Sequence, residues 1–328
     1  MTQSPKVSVC MITYNHEKYI EEAINGVLMQ NCDFEIELII ANDCSPDQTN
    51  AIVNKIIETH PKGSLIRYYR QEFNVGIIPN FLFALNQCKG EFVAMCEGDD
   101  YWITEDKLQK QVDILNSNDN LGLVFTGVQF YYVKENKFVN IPSRIPLDED
   151  QIIQKMLESK FIEFPTTLFR KSILNNAIKV IKPELINAII GDTRILLETA
   201  RNSKIYFLNE ITTVYRIIDG SASHPVNVDK FILALNDTYL CRRNFVIRYK
   251  LNYSWLSNSI CNTNRGLINN AFISKKYSNT IKFLKHLIIL DSFKYCNWNI
   301  FKNKMTGVIW IKLVLSIVGF GVFRQKIK

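Results

Sequence analysis

Polar side chains follow four apolar segments in the first hundred residues, each at the point where the segment ends. The segments are residues 7–13, 37–43, 65–70 and 91–96, and the polar residues after them are Thr13, Tyr14, Asn15 and Glu17, then Asp43, Ser45 and Asp47, then Asn74 and Gly76, then Glu97, Gly98, Asp99 and Asp100. Ligands of parallel sheets bind outside the carboxyl ends of the strands, where loops and helix N-termini converge. One such cluster can arise by chance, but four at one rim indicate a binding site.

The last cluster, residues 97–100, gives the most specific indication of a chemical role. Asp99 and Asp100 offer hard oxygen ligands, which suit Mg²⁺ or Mn²⁺ shared with phosphate oxygens. Asp is also favoured at helix N-caps, so the same residues can form a surface turn that caps the next helix. Asp43 has the corresponding alternative as a turn residue, and the local sequence leaves both interpretations open.

The elements that must position these residues alternate between strand and helix patterns, which predicts an α/β fold with a mainly parallel sheet flanked by helices. Apolar residues recur with helical spacing after the first strand, and Ser45 with Pro46 predicts the start of a second helix. Further helices are predicted over residues 79–87, 107–116 and 193–200, and further strands over residues 121–133, 205–208 and 213–218.

Charge divides the 328 residues into two regions. Residues 1–224 hold 22 Lys and Arg against 29 Asp and Glu, whereas residues 225–328 hold 17 against three. We therefore predict a domain over residues 1–224 and a basic, all-helical C-terminal extension over residues 225–328, with helices at 228–249, 253–273 and 278–290. A basic excess of this size seeks a polyanion, either nucleic acid or an anionic membrane surface.

An apolar stretch over residues 305–323 favours the membrane. Long aliphatic runs accompany the positive charges, and no nucleic-acid recognition motif does, so we expect no nucleic acid partner. The stretch is near the length that spans a bilayer, but Lys312 lies in its middle. A helix lying in the interface of an anionic membrane fits better, and a core helix of a C-terminal bundle remains an alternative.

The cysteines indicate the compartment. Eight are present without a CxxC pair, and no secretory signal is recognisable, so neither a zinc site nor a disulfide framework is predicted. We expect reduced thiols and a cytoplasmic protein, peripheral at the inner face of the cell membrane.

Three sequence blocks resemble one known family. They are VSVCMITYNHEKYIEEAINGVLMQ, IIANDCSPDQT and NVGIIPNFLFALNQCKGEFVAMCEGDDYW, and in this order and spacing they are similar to the nucleotide-sugar-binding domain of glycosyltransferase family 2, which has the GT-A fold. The resemblance covers about residues 5 to 220. It implies an inverting, metal-dependent glycosyltransferase of the hexosyltransferase type.

The resemblance also implies roles for individual residues. Donor-binding positions would be Thr13, Tyr14, Asn15, Glu17, Asp43, Asn74, Asn80, Gly98, Asp99 and Arg216. Asp99 would bind the divalent metal, Mg²⁺ or Mn²⁺, with Asp100 and with Glu97, which replaces the first aspartate of the family's motif. Arg216 belongs to a block similar to YR...GS.S and would face the diphosphate. Ile218 stands where many relatives have a histidine, and no histidine of this chain receives a role.

Inverting transfer also needs a base near the acceptor hydroxyl. The segment AIIGDTRILLETARNSKIYFLNEITTVYR matches the part of the family that supplies it, which makes Asp192 the expected catalytic residue. Asp192 also stands where a helix is predicted to begin, so an N-cap is its alternative interpretation. The expected donor is a nucleotide-diphosphate sugar, with UDP as the default nucleotide.

The expected acceptor is a hydroxyl of a glycan or of a polyprenyl-linked molecule, as in surface polysaccharide synthesis. Two rival functions are a nucleotidyltransferase and a non-catalytic, membrane-associated nucleotide-sugar-binding protein. The first would need a glycine-rich basic loop after the first strand, where this chain has TYNHEKY, and the same segment excludes the GxGxxG motif of dinucleotide oxidoreductases. The second is disfavoured by the intact Asp43, Asp99, Asp100 and Asp192.

Overall fold

A computed structural model describes residues 5–140, 149–160, 162–256 and 259 of the chain. The chain divides into two compact units, one formed by Met1–Met156 with Lys160–Pro225 and the other by Leu157–Ser159 with Val226–Lys328. The first unit contains every residue that the sequence analysis assigns to a site.

Four parallel strands form the first half of the sheet in this unit. They are β1 (Val7–Thr13), β2 (Ile36–Asn42), β3 (Ile66–Arg70) and β4 (Phe92–Met95), arranged in the order β3-β2-β1-β4. β2 and β4 are buried along their whole length, and only Ile12 of β1 is partly exposed. Strands covered on both faces read as continuous apolar runs, which is why the sequence locates them within a residue or two.

Three helices connect these strands and bring the chain back to the same edge of the sheet. They are α1 (Ile20–Leu28), α2 (Thr49–Thr59) and α3 (Ile77–Gln87). The prediction that Ser45 and Pro46 begin the second helix is wrong, because α2 begins only at Thr49. The Ser45 backbone N–H donates to the Asn42 side chain at 2.8 Å, which holds this residue in the loop before the helix.

The second half of the sheet mixes both strand directions. It contains β5 (Tyr101–Trp102), β6 (Leu121–Tyr132), β7 (Lys137–Asn140), β8 (Thr167–Arg170) and β9 (Lys204–Ile217). The order continues from β4 as β8-β6-β9-β5, and β7 pairs with β6. β8 runs antiparallel to β4 and β6, whereas β6 and β9 are parallel. β9 is one strand where the sequence predicts two, because it continues through an irregular register opposite Thr126 and Gly127.

The helices of this half are α4 (Lys107–Ser117), α5 (Glu149–Glu158), α6 (Lys171–Leu185) and α7 (Asp192–Asn202). α6 packs against α7 and buries Leu174, Ala177, Ile178 and Ile181 at helical spacing. The sequence analysis placed α4 and α7 but not α5 or α6. α7 matters most for function because Asp192 is its first residue.

The second unit contains α8 (Val228–Arg248), which agrees with the predicted helix over residues 228–249. The Asn227 side chain caps it by accepting hydrogen bonds from the backbone N–H groups of Asp229 and Lys230. A single 3₁₀ turn, Tyr253–Leu256, is described where the next helix is predicted to begin. The predicted helix over 278–290 and the apolar stretch over 305–323 lie outside the described residues. Among the helices that are described, none is long and apolar enough to cross a bilayer.

Candidate active site

The carboxyl ends of β1, β2 and β4 border a cavity of about 370 Å³. Its wall is made by Ile12, Thr13, Tyr14, Asn15, His16, Tyr19, Asp43, Ile77, Asn80, Glu97, Asp99, Asp100, Tyr215 and residues 218–223. Three of the four polar clusters therefore meet at one cavity. Eight of the predicted donor or metal residues line it directly, and the segment after β9 closes its remaining side.

The loop after β1 is fixed by the loop after β2. Asn15 adopts a left-handed backbone with φ of 62°, and its N–H donates to the Ser45 hydroxyl at 2.9 Å. The Glu17 N–H donates to the Asp47 carboxylate at 2.9 Å, and the Glu17 carboxylate accepts from the Gln48 N–H at 3.0 Å. Glu17 therefore joins the two loops at the start of α2 and does not line the cavity.

Asp43 organises the wall on the side of β2. Its two carboxylate oxygens accept backbone N–H groups of Val75 and Gly76 at 2.7 and 2.9 Å, and the residue is 3% exposed. The Asn80 amide donates to the Ala41 carbonyl at 2.9 Å. Asp43 and Asn80 thus face the cavity while holding its backbone in place. Asn74 precedes this loop and does not line the cavity.

The acidic turn after β4 lies against the end of β1. A Cβ atom at Gly98 would come within 2.8 Å of the Thr13 hydroxyl and 2.9 Å of His16 Nδ1, so only glycine allows this approach. Asp99 projects beside it, with Oδ2 3.8 Å from His16 Nε2 and its side chain 21% exposed. The turn thus places the Asp99 carboxylate at the opening between β1 and β4.

The carboxylates of this turn repel one another. Burial, reinforced by the charge of Asp99, raises the pKa of Glu97 to about 8. Burial and the same neighbour raise the pKa of Asp100 well above its usual value. Mg²⁺ is usually bound by one or two carboxylates together with substrate phosphates, so Asp99 with Glu97 or Asp100 fits such an ion. Within the described ranges, no three His, Cys, Asp or Glu side chains are grouped as a complete metal site.

Arg216 supports this turn and is not among the residues that line the cavity. Its backbone N–H donates to Asp100 Oδ1 at 2.8 Å, and its guanidinium donates to the Asp99 carbonyl at 2.7 Å and pairs with Glu22. The guanidinium also lies between the rings of Tyr19 and Tyr101, 5.0 and 4.3 Å from their centroids. These partners engage its side chain in the structure, and a role of Arg216 at the diphosphate stays a prediction.

Asp192 occupies the first turn of α7 and does not line the cavity. Its Oδ1 accepts the Thr193 N–H at 2.6 Å, and its Oδ2 lies 3.8 Å from the Lys160 ammonium. The N-cap position itself belongs to Gly191. Asp192 also raises the pKa of Glu97, which places its charge near the acidic turn.

Sequence reasoning missed His16, Tyr19 and Lys160. His16 and Tyr19 follow the TYN segment directly, so the signal for them was their position in the same loop. The ring of His224, to which the sequence assigns no role, lies 6.4 Å from that of Tyr215, and Tyr215 lines the cavity. Lys160 gave no signal, because only the fold brings it near Asp192.

A family comparison identifies the domain. The model of the family described as Glycosyl transferase family 2 matches residues 8–177, which is more than half of the chain. The chain belongs to glycosyltransferase family 2. The match covers the four parallel strands and the acidic turn, and the fold and family expected from the sequence are confirmed.

The relatives of this chain include both an uncharacterised protein and a named glycosyltransferase. An uncharacterised protein of Mycobacterium tuberculosis is 31% identical over 227 residues, which are 68% of this chain and 62% of the relative. The GalNAc(5)-diNAcBac-PP-undecaprenol beta-1,3-glucosyltransferase of Campylobacter jejuni is 28% identical over 65% of both chains. The chain thus spans about 62% of the length of the first of these relatives.

Solved glycosyltransferases have the same fold. Staphylococcus aureus TarS 1–349 in complex with UDP-GlcNAc aligns with a TM-score of 0.52 and 18% identity over 86% of this chain and 76% of its own. The mannosyltransferase PcManGT from Pyrobaculum calidifontis, in complex with GDP-Man and Mn²⁺, aligns with a TM-score of 0.50 and 15% identity over 96% and 88%. At these identities the likeness concerns the GT-A fold alone.

Proposed function

We propose that this protein is a metal-dependent, inverting glycosyltransferase that moves a sugar from a nucleotide-diphosphate donor to an acceptor hydroxyl. The observation that carries the proposal is the single cavity on which the loop after β1, Asp43 and the acidic turn converge. A nucleoside needs polar and aromatic walls, and a diphosphate needs cationic charge. Tyr14, Asn15 and Asp43 supply such walls, and a divalent ion held by Asp99 would supply the positive charge.

The chemistry divides between two carboxylate sites. Asp99, with Glu97 or Asp100, would hold Mg²⁺ or Mn²⁺, which offsets the negative charge of a leaving diphosphate. Asp192 accepts the proton of the acceptor hydroxyl while that oxygen forms its bond to the anomeric carbon. The bond from the anomeric carbon to the diphosphate breaks on the opposite face. The products are a glycoside of inverted configuration, a nucleoside diphosphate and a proton on Asp192.

The nucleotide, acceptor and location complete the proposal. UDP is favoured because TarS, named with UDP-GlcNAc, shares the fold, although PcManGT is named with GDP-Man. A glycan or polyprenyl-linked acceptor in surface polysaccharide synthesis is supported by the Campylobacter relative, whose name includes undecaprenol. The basic residues of 225–328 would hold the protein at the inner face of the membrane.

Thermal unfolding with a panel of UDP- and GDP-sugars, in Mn²⁺ or in EDTA, tests this function. A donor at about 100 times its Kd stabilises the native state by roughly 2.7 kcal/mol, and we expect that shift only when metal is present. The same donors are then assayed for release of nucleoside diphosphate with glycan and polyprenyl-linked acceptors.

The rival functions give different results in these assays. Binding without turnover of any donor would favour the non-catalytic nucleotide-sugar-binding protein. Release of pyrophosphate from a nucleoside triphosphate and a sugar phosphate would favour the nucleotidyltransferase. If no nucleotide shifts the unfolding transition under either condition, the proposed function is wrong.

A further inference from the structure

Lys160 joins two carboxylates that belong to different elements. Its ammonium lies 2.5 Å from Glu163 Oε2 and 3.8 Å from Asp192 Oδ2. It also lies 4.8 Å from the centroid of the Tyr215 ring, which lines the cavity. The Lys160 side chain is 37% exposed, so it is partly buried.

The Asp192 carboxylate is held by two partners of different origin. Its Oδ1 accepts the backbone N–H of Thr193 at 2.6 Å, inside the first turn of α7. This hydrogen bond holds Oδ1 within the helix itself. The Lys160 ammonium, which comes from a segment 32 residues earlier, faces the other oxygen.

The charges around Lys160 keep it available for this contact. Burial lowers its pKa, but the neighbouring Glu163, Tyr215 and Asp192 outweigh that effect and raise the pKa well above its usual value. Lys160 in turn opposes the raised pKa values of Glu97 and Asp100 in the acidic turn. A permanent positive charge thus lies among carboxylates that would otherwise repel one another.

We propose that Lys160 is a positioning residue for the catalytic base: held by Glu163, its ammonium orients the Asp192 carboxylate toward the acceptor hydroxyl. The inference rests on the proposed function, since it assigns Lys160 to the acceptor half of that reaction. Lys160 contacts the base directly and reaches the acidic turn only through its charge, so its loss should lower kcat more than donor affinity. Small displacements of the base lower the rate of transfer strongly, because the base must lie close to the acceptor hydroxyl in the correct orientation.

The test compares Lys160→Met, Lys160→Arg and Lys110→Met with the wild-type chain. We expect Lys160→Met to lower kcat about 10- to 100-fold while KM and the calorimetric Kd for the donor change by a smaller factor. Lys160→Arg keeps the charge and should recover most of the loss. Lys110 is a matched control. Its side chain has a similar exposure, 38%, and its ammonium also pairs with a glutamate, Glu210, at 2.6 Å, but it has no contact with Asp192 among the described ion pairs.

Each outcome decides the matter. If Lys160→Met keeps the kcat of the wild type, or loses donor affinity by the same factor as kcat, the positioning role is wrong. The proposed function still stands in either case, provided that the wild-type chain transfers sugar. Absence of transfer in the wild-type chain with every donor overturns both. If Lys160→Met does not unfold cooperatively, Glu163→Gln makes the same test by releasing the ammonium from its anchor, and an unchanged kcat there also overturns the inference.

Discussion

At the scale of single residues, the structure distinguishes side chains that line the cavity from side chains that hold its loops in place. Thr13, Tyr14 and Asp99 face the cavity. Glu17 and Arg216, in contrast, use their charged groups on neighbouring loops. Sequence patterns do not distinguish these roles, because a carboxylate that binds a ligand and one that caps a helix have the same residue type.

Replacing Asp192 with Asn should abolish transfer and spare donor binding. The amide keeps an oxygen for the Thr193 N–H but cannot accept a proton, so we expect kcat to fall by roughly 10²- to 10⁴-fold. Steady-state kinetics and calorimetric titration with the donor measure the two effects separately. Asp113→Asn, on the exposed side of α4, is the control. Equal losses of binding and transfer would contradict the assignment of Asp192 as base.

Replacing Gly98 with Ala should weaken nucleotide binding. The added Cβ would displace the acidic turn from Thr13 and His16, at a cost of about 1 to 3 kcal/mol. Calorimetry with the donor and Mn²⁺ measures the change in affinity. Gly63→Ala is a matched control, because its Cβ would meet the Ile57 carbonyl, away from the cavity, and should lower stability alone. Unchanged affinity in Gly98→Ala would show that the turn does not bind the donor.

At the scale of elements, α4 carries a buried lysine that is independent of the catalytic proposal. Lys107 is fully buried, donates to Gln111 at 2.7 Å and lies 4.4 Å from the centroid of the Trp102 ring. Burial lowers its pKa from 10.5 to about 7. Trp102 belongs to β5, so the lysine ties the packing of α4 to the edge strand of the sheet.

The stability of the folded chain should therefore depend on pH through Lys107. Between about pH 7 and 10.5 the unfolded chain holds this proton and the folded chain does not, so its contribution to stability rises with pH. As the pH falls from 9.5 to 7, the free energy of unfolding of Lys107→Met should rise relative to that of the wild type by up to roughly 3 kcal/mol. Urea unfolding at both values measures the difference. Lys110→Met on the same helix should show no such trend. If the difference in free energy of unfolding between Lys107→Met and the wild type is the same at both pH values, the pH dependence does not come from Lys107.

At the scale of the whole molecule, charge is unevenly distributed between the acidic first 224 residues and the basic remainder. An acidic cavity that would hold a metal and a basic region that would attract anionic lipid fit the proposed enzyme with a membrane-borne acceptor. The sequence carries this proposal, because residues 260–328 lie outside the part of the chain that the structure describes.

Removing residues 305–328 should release the protein from anionic vesicles. The segment contains Lys312, Arg324, Lys326 and Lys328, each worth about 1 kcal/mol at such a surface, in addition to its apolar residues. Co-sedimentation with phosphatidylserine vesicles measures the effect, and vesicles of neutral lipid are the control. Undiminished co-sedimentation of the truncated chain would show that this segment is not the membrane contact.

The sequence by itself determined the parallel strands, the family and the order of the polar clusters. Buried strands must be apolar throughout, and the residues at their ends are bound to meet at one edge of the sheet, so both features are readable along the chain. Tertiary structure alone decided that Arg216 supports the acidic turn, that Glu17 joins two loops, and that Lys160 reaches Asp192. These contacts join residues 31 to 117 positions apart, and no local pattern in the sequence indicates which distant residue a charged side chain will contact.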